Sequence, residues 1–156
     1  MTTTSPASQT TPTDPQALAD AVGQAMWSRD HATQALGMTL VSIAPGRATV
    51  RMPIRTDMAN GHGMCHGGFM FTLADSAFAY ACNSYNLNTV ASGCNIDFLA
   101  PGRIGDVLEA EAIERSAAGR TGVYDVTVRV VGGKTVALFR GKSYRIQGEV
   151  IAGLQA

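Results

Sequence analysis

Apolar positions recur at helical spacing in two stretches of the chain and at a spacing of two through most of the remainder. Leu18, Val22, Met26 and Trp27 share one helix face. That helix is predicted to start at Asp14-Pro15, an acidic N-cap followed by proline at the first helical position, and to reach about His31. Trp27 reads as its core anchor. A second helix is predicted over residues 67–85, where Phe69, Met70, Phe71, Leu73, Ala74, Ala77, Phe78 and Ala81 leave almost no polar face. A helix apolar nearly all round is expected to be buried nearly all round.

Between and beyond these helices lie strand patterns. Met38–Ile43 and Ala48–Ile54 flank the turn signal Ala44-Pro45-Gly46-Arg47. From Thr89 the period is two: Val90–Leu99, Asp106–Arg115, Val123–Val131 and Thr135–Ile146 read as four strands. The last two are joined at Gly132-Gly133. Along Val123–Val131, the residues Tyr124, Val126, Val128 and Val130 alternate with polar ones and are expected to face the core. The order is helix, two strands, a buried helix, four strands. Lacking strand–helix–strand alternation, it predicts an α+β fold with an antiparallel sheet curled around the second helix. Residues 1–13, nearly all Thr, Ser, Pro, Gln and Ala, read as a disordered tail. Residues 14–147 read as a single domain and 148–156 as a C-terminal tail.

Composition narrows the function classes. Twelve basic and twelve acidic residues give zero formal charge, and no basic face stands out, so neither nucleic acid nor an anionic membrane is an expected partner. Cys65, Cys82 and Cys94 make an odd count without CxxC spacing, which predicts reduced thiols in a cytoplasmic protein. No signal-peptide pattern opens the chain, and the apolar run at 67–82 is short for a membrane span and interrupted by Thr72, Asp75 and Ser76.

The chemistry concentrates in Asn60-Gly-His-Gly-Met-Cys-His-Gly-Gly and the helix that follows. A helix starting near Gly67 presents unpaired N–H groups at the positive end of its dipole, which suits a carbonyl oxygen or oxyanion. The plainer reading of His66-Gly67-Gly68 is a tight helix entry. Asp75 is a lone carboxylate among apolar neighbours; it is either a site residue with a raised pKa or an Asp satisfied at an interface or wet edge. Asn60 has an amide to donate, although Asn-Gly is first of all a turn. His62, Cys65 and His66 tempt a metal reading, but the glycines around them argue against a helix and no HExxH follows, so no metal is expected. Cys65 as a nucleophile beside His66 fails because adjacent side chains diverge. The glycine spacing does not match a dinucleotide fingerprint. Arg103, and Arg120-Thr121 ahead of a strand, suit phosphates but are equally ordinary solvated loops.

Taken together, Asn60-Gly-His-Gly-Met-Cys-His-Gly-Gly, Phe71-Thr-Leu-Ala-Asp-Ser-Ala-Phe-Ala, Ile96-Asp-Phe-Leu-Ala-Pro-Gly, Gly105-Asp-Val-Leu, Gly119-Arg-Thr-Gly-Val-Tyr-Asp-Val and Phe139-Arg-Gly-Lys-Ser resemble the PaaI-type acyl-CoA thioesterases of the hotdog superfamily. The resemblance spans residues 15–147. It implies a long helix wrapped by a curved antiparallel sheet, a homodimer with shared sites, and pairing of dimers into a homotetramer. It implies hydrolysis of an acyl-CoA, of phenylacetyl or hydroxyphenylacetyl type, with no cofactor beyond the CoA of the substrate. Asp75 is then the base or nucleophile, Gly67 the amide on the thioester carbonyl, and Asn60 the polar group beside carbonyl or water. His66, Gly68, Arg103, Arg120 and Thr121 are substrate contacts. The rival expectation on the same fold is a non-catalytic acyl-CoA binder or sensor, which has no use for Asp75. A hotdog dehydratase would require a catalytic histidine in another setting, and a structural oligomerisation module leaves the Asn60–Asp75 cluster without purpose.

Overall fold

A computed structural model describes residues 14–154; the stretch expected to be an N-terminal tail lies outside them. The elements are α1 (Pro15–Trp27), α2 (His31–Ala35), β1 (Thr39–Ala44), β2 (Arg47–Pro53), a 3₁₀ turn at Thr56–Met58, α3 (Gly67–Asn83), β3 (Leu87–Phe98), β4 (Val107–Ala118), β5 (Thr121–Val130) and β6 (Thr135–Glu149). The six strands form one antiparallel sheet in the order β1-β2-β4-β5-β6-β3, with α3 packed against every strand. This is the hotdog arrangement, with α1 as the added N-terminal helix.

The strand alternation puts Val50, Met52, Leu108, Ala110, Ala112, Tyr124, Val126, Val128 and Phe139 against α3, all buried. Alanines on both sides of this contact (Ala110 and Ala112 against Ala74, Ala77 and Ala81) bring helix and sheet close together. Gly141 of β6 completes the fit: a Cβ there would stand 2.9 Å from three ring atoms of Phe78. Each large side chain buried in this way, Leu73 and Phe78 among them, contributes about 1.5–3 kcal/mol.

Four sequence expectations need correction. The first helix stops at Trp27, because Asp30 begins a separate short helix: its carboxylate accepts from the Thr33 N–H at 3.1 Å and from the Tyr80 hydroxyl at 3.0 Å. Trp27 is half-buried at the core margin rather than fully enclosed. The strand expected to end at Ile146 continues to Glu149, paired opposite Leu87. Residues 150–154 are then tied down by Asn86, whose side chain accepts from the Ile151 N–H at 2.8 Å and donates to the carbonyls of Ile151 and Leu154. Finally, α3 is not buried all round. Gly68, Phe71, Thr72, Asp75 and Ala79 form a stripe along it that stays half-buried or exposed.

Candidate active site

The glycine turn is held by Asn60. Its Oδ1 accepts from the N–H of His62 at 2.9 Å and of Met64 at 3.2 Å, which fixes the orientation of the amide. The Nδ2 group is left without an acceptor among the described residues. The turn reading and the donor reading of Asn60 are thus compatible: the oxygen makes the turn and the nitrogen remains available.

His66 caps α3. Its Nδ1 accepts from the Gly68 N–H at 2.9 Å, so the neutral ring carries its proton on Nε2, on an exposed side chain. With Gly68 satisfied in this way, the N–H of Gly67 has no acceptor among the described residues. It stands at the positive end of a 17-residue helix, where an oxyanion is favoured. A cleft of about 490 Å³ opens over it, lined by Asn60, Met64, Cys65, Gly67, Met70, Phe98, Leu99, Ala100 and Pro101. Phe98, not singled out from the sequence, lies directly on Gly67: a Cβ at that position would stand 2.9 Å from its Cζ. The signal was present in the alternation, which sets Phe98 on the same face of β3 as Cys94 and Ile96.

Asp75 lies eight residues beyond Gly67, about 12 Å along the axis. It is half-buried, and burial pushes its carboxyl above the ordinary aspartate range; no cation or N–H among the described residues offsets this. After burial, the Asp75 charge is the second influence that raises the Cys94 thiol. Cys94 belongs to β3, the last strand of the sheet, and the Asp75 charge acts in the same direction on Cys82 of α3. The cysteines themselves are poor nucleophiles: burial pushes Cys65 up to about 11 and Cys82 up to about 12. Among the described residues no three His, Cys, Asp or Glu side chains converge as metal ligands.

The remaining candidates divide between the two ends of α3. Arg103 is exposed beside the glycine turn, bridged to Met64. Arg120 and Thr121 lie at the opposite end, lining a cleft of about 300 Å³ with Cys82, Tyr85 and Arg145. A 17-residue helix is about 25 Å long, so Arg103 and Arg120 of one chain do not meet. Arg145 is a further cation that sequence reasoning missed; its N–H donates to the Arg120 carbonyl at 2.7 Å. A comparable groove of about 530 Å³ between α1 and β1 contains no such grouping; its Asp20 accepts from Gln16.

An apolar cleft with a free amide at a helix start, and a lone carboxylate further along that helix, thus sit on a hotdog fold, one helix wrapped by one sheet. Residues 62–137 match the model of the thioesterase superfamily. The chain belongs to the PaaI-type acyl-CoA thioesterases of that superfamily. It is 52% identical to the acyl-coenzyme A thioesterase PaaI of Escherichia coli K12 over 126 residues, 81% of this chain and 90% of that one. The solved structure of E. coli PaaI, from the phenylacetic acid degradation operon, superimposes with a TM-score of 0.86 at 49% identity, covering 87% of this chain and 99% of that one. The phenylacetic acid degradation protein PaaI of Thermus thermophilus superimposes at 0.71 with 42% identity, over 74% and 98% of the two chains. A Streptococcus mutans protein solved with acetyl CoA superimposes at 0.68 with 27% identity, over 72% and 90%.

Proposed function

We propose that this protein hydrolyses aryl-acetyl-CoA thioesters, of phenylacetyl or ring-hydroxylated phenylacetyl type, in sites shared between two copies of the chain. The observation that carries the reading is the pairing of an acceptor-less Gly67 N–H with an unpartnered Asp75 about 12 Å further along the same helix. That span is too long for both to act on one carbonyl carbon. β3 supplies the remedy. It is a 12-residue strand at the sheet edge with no neighbour on its outer side, whereas the other edge, β1, has six residues and is tied to α1 by the Gln16 side chain. Pairing β3 with β3 of a second copy about a twofold axis sets the α3 helices antiparallel. Asp75 of one copy then approaches Gly67 of the other. Such a dimer also carries the Arg120 end of one chain toward the Arg103 end of its partner, so both arginines can serve one CoA nucleotide. Dimers associate further into a homotetramer in this reading, and the free cysteines fit a cytoplasmic setting.

In the reaction the thioester oxygen accepts from Gly67 N–H, and the Asn60 amide donates to that oxygen or to the attacking water. Asp75 takes a proton from water as it adds to the carbonyl carbon, or attacks that carbon itself to give a mixed anhydride that water then opens. In either route the C–S bond breaks and CoA leaves as the thiolate, to be protonated to the thiol. One donor such as Gly67 N–H is worth roughly 3–4 kcal/mol of barrier. His66, through Nε2–H, and Gly68 border the bound thioester. Release of free thiol from phenylacetyl-CoA, followed with a thiol reagent, is the test: native protein turns over and Asp75→Asn does not. Absence of thiol release from every aryl and medium-chain acyl-CoA overturns the reading in favour of an acyl-CoA binder.

A further inference from the structure

We infer that Phe98 determines acyl selectivity: its ring is the wall on which a flat aromatic acyl group lies, giving aryl-acetyl thioesters preference over straight-chain ones. The inference rests on the placement of the thioester carbonyl at Gly67 proposed above. Phe98 ends β3 on the face that carries Cys94 and Ile96, yet it is 55% exposed, while those two are half-buried against the core. In the β3-paired dimer proposed above, this end of the strand borders both the second copy and the cleft.

The location of Phe98 ties it to the cleft. The ring's Cζ and Cε1 stand 2.9 and 3.0 Å from the point a Cβ on Gly67 would occupy. The ring is therefore laid against the backbone whose N–H takes the substrate oxygen. An acyl group whose oxygen is held there must extend past this ring into the cleft. The remaining apolar lining is Met64, Met70, Leu99, Ala100 and Pro101, with Asn60 as the polar member. Methionines are flexible and adapt to most shapes, so they discriminate weakly. Phe98 alone offers a rigid π face, and a second ring at a centroid separation of about 4.5–7 Å gains from it what an alkyl chain cannot.

The experiment compares kcat/KM for phenylacetyl-CoA and hexanoyl-CoA in native protein, Phe98→Leu and Phe98→Tyr. Phe98→Leu keeps an apolar wall but removes the π face. It should lower the phenylacetyl value more than the hexanoyl value, shifting their ratio by about two- to tenfold, the scale of one aromatic pair. Phe98→Tyr should retain the native ratio. A parallel loss on both substrates in Phe98→Leu would mean a packing role at Gly67, and an unchanged ratio would mean no role; either overturns the inference. A measurement on the native protein stands beside these variants: phenylacetate should compete with substrate more strongly than hexanoate, and equal inhibition also overturns it. Native protein inactive on all acyl-CoAs refutes the underlying thioesterase reading instead.

Discussion

Glu109 and Asp75 are two carboxylates treated in opposite ways by the same fold. Glu109 lies on the outer face of the sheet, 9% exposed, with Arg51 of β2 and Arg129 of β5 directly opposite it in register. It accepts from Arg51 Nε at 2.8 Å and from Arg129 at 3.1 and 2.8 Å, and these arginines, Arg129 foremost, hold its carboxyl below the ordinary glutamate value. Asp75 is half-buried on α3 with neither cation nor donor beside it among the described residues, and burial holds it above the ordinary range. The first arrangement satisfies a charge and belongs to stability. The second leaves a charge unsatisfied, which is what the catalytic role proposed for Asp75 calls for.

The largest effect should come from breaking the second arrangement. Asp75→Asn should lower thioester turnover by a factor of about 10²–10⁴, the usual scale for a positioned acid–base group. Its melting temperature should equal or exceed the native one at neutral pH, since the buried charge is gone. A fall in both together would make Asp75 a structural residue. Asn60→Asp should come next. The new carboxylate keeps the oxygen that accepts from His62 and Met64 but loses the amide donor, so turnover should drop about 10²-fold, the scale for losing one oxyanion donor, with the turn intact. Circular dichroism and a melt alongside the kinetics separate the two roles.

How much of this contrast was legible in the sequence depends on whether the relevant contact was local. The α+β order, the glycine turn and the carboxylate in the greasy helix follow from period and spacing, because each is set by neighbours a few residues away. The separate helix at His31–Ala35 was missed because Asp30 is held by Tyr80, fifty positions on, as well as by Thr33. The continuation of β6 past Ile146 has no apolar alternation to announce it and rests on pairing with Leu87 of β3. Overstated burial of α3 has a similar cause: which stripe a sheet leaves open depends on where the sheet ends. Nor does spacing say that Arg103 and Arg120 sit at opposite ends of α3. Phe98 was within the quoted Ile96-Asp-Phe-Leu run, but only its fit against Gly67 marks it.

Acidification tests the same contrast through its sign. In the proposed reaction Asp75 acts in its ionised form, so kcat/KM should fall as pH drops through its raised pKa. The acid limb should lie above the ordinary aspartate value of 3.8 and be absent from any residual activity of Asp75→Asn. Its effect on stability runs the other way. A carboxylate with a folded pKa above the unfolded one costs nothing below the unfolded value, where it is protonated in both states. The cost grows as pH rises and is full above the folded pKa. The gain in melting temperature of Asp75→Asn over native protein should therefore shrink as pH is lowered toward 4; a gain that does not change with pH would assign it to packing.

The smallest expected effect, and the one confined to stability, is at Glu109. Its folded pKa is depressed, so its contribution is complete above the unfolded value near 4.5 and is lost as pH falls through the folded one. Glu109→Gln keeps the shape and one carbonyl acceptor but removes the charge between Arg51 and Arg129. Both arginine side chains are more than 40% exposed and can return to water, so the penalty is limited to weakened charge-assisted hydrogen bonds, about 1–2 kcal/mol. Urea unfolding of Glu109→Gln at pH 7 should show that loss with an unchanged slope, and the difference from native protein should fade at pH 3. Thioester turnover per folded molecule should match native. A loss of turnover at constant stability would mean that the outer face communicates with the cleft, and the division between a satisfied carboxylate for stability and an unsatisfied one for chemistry would not hold.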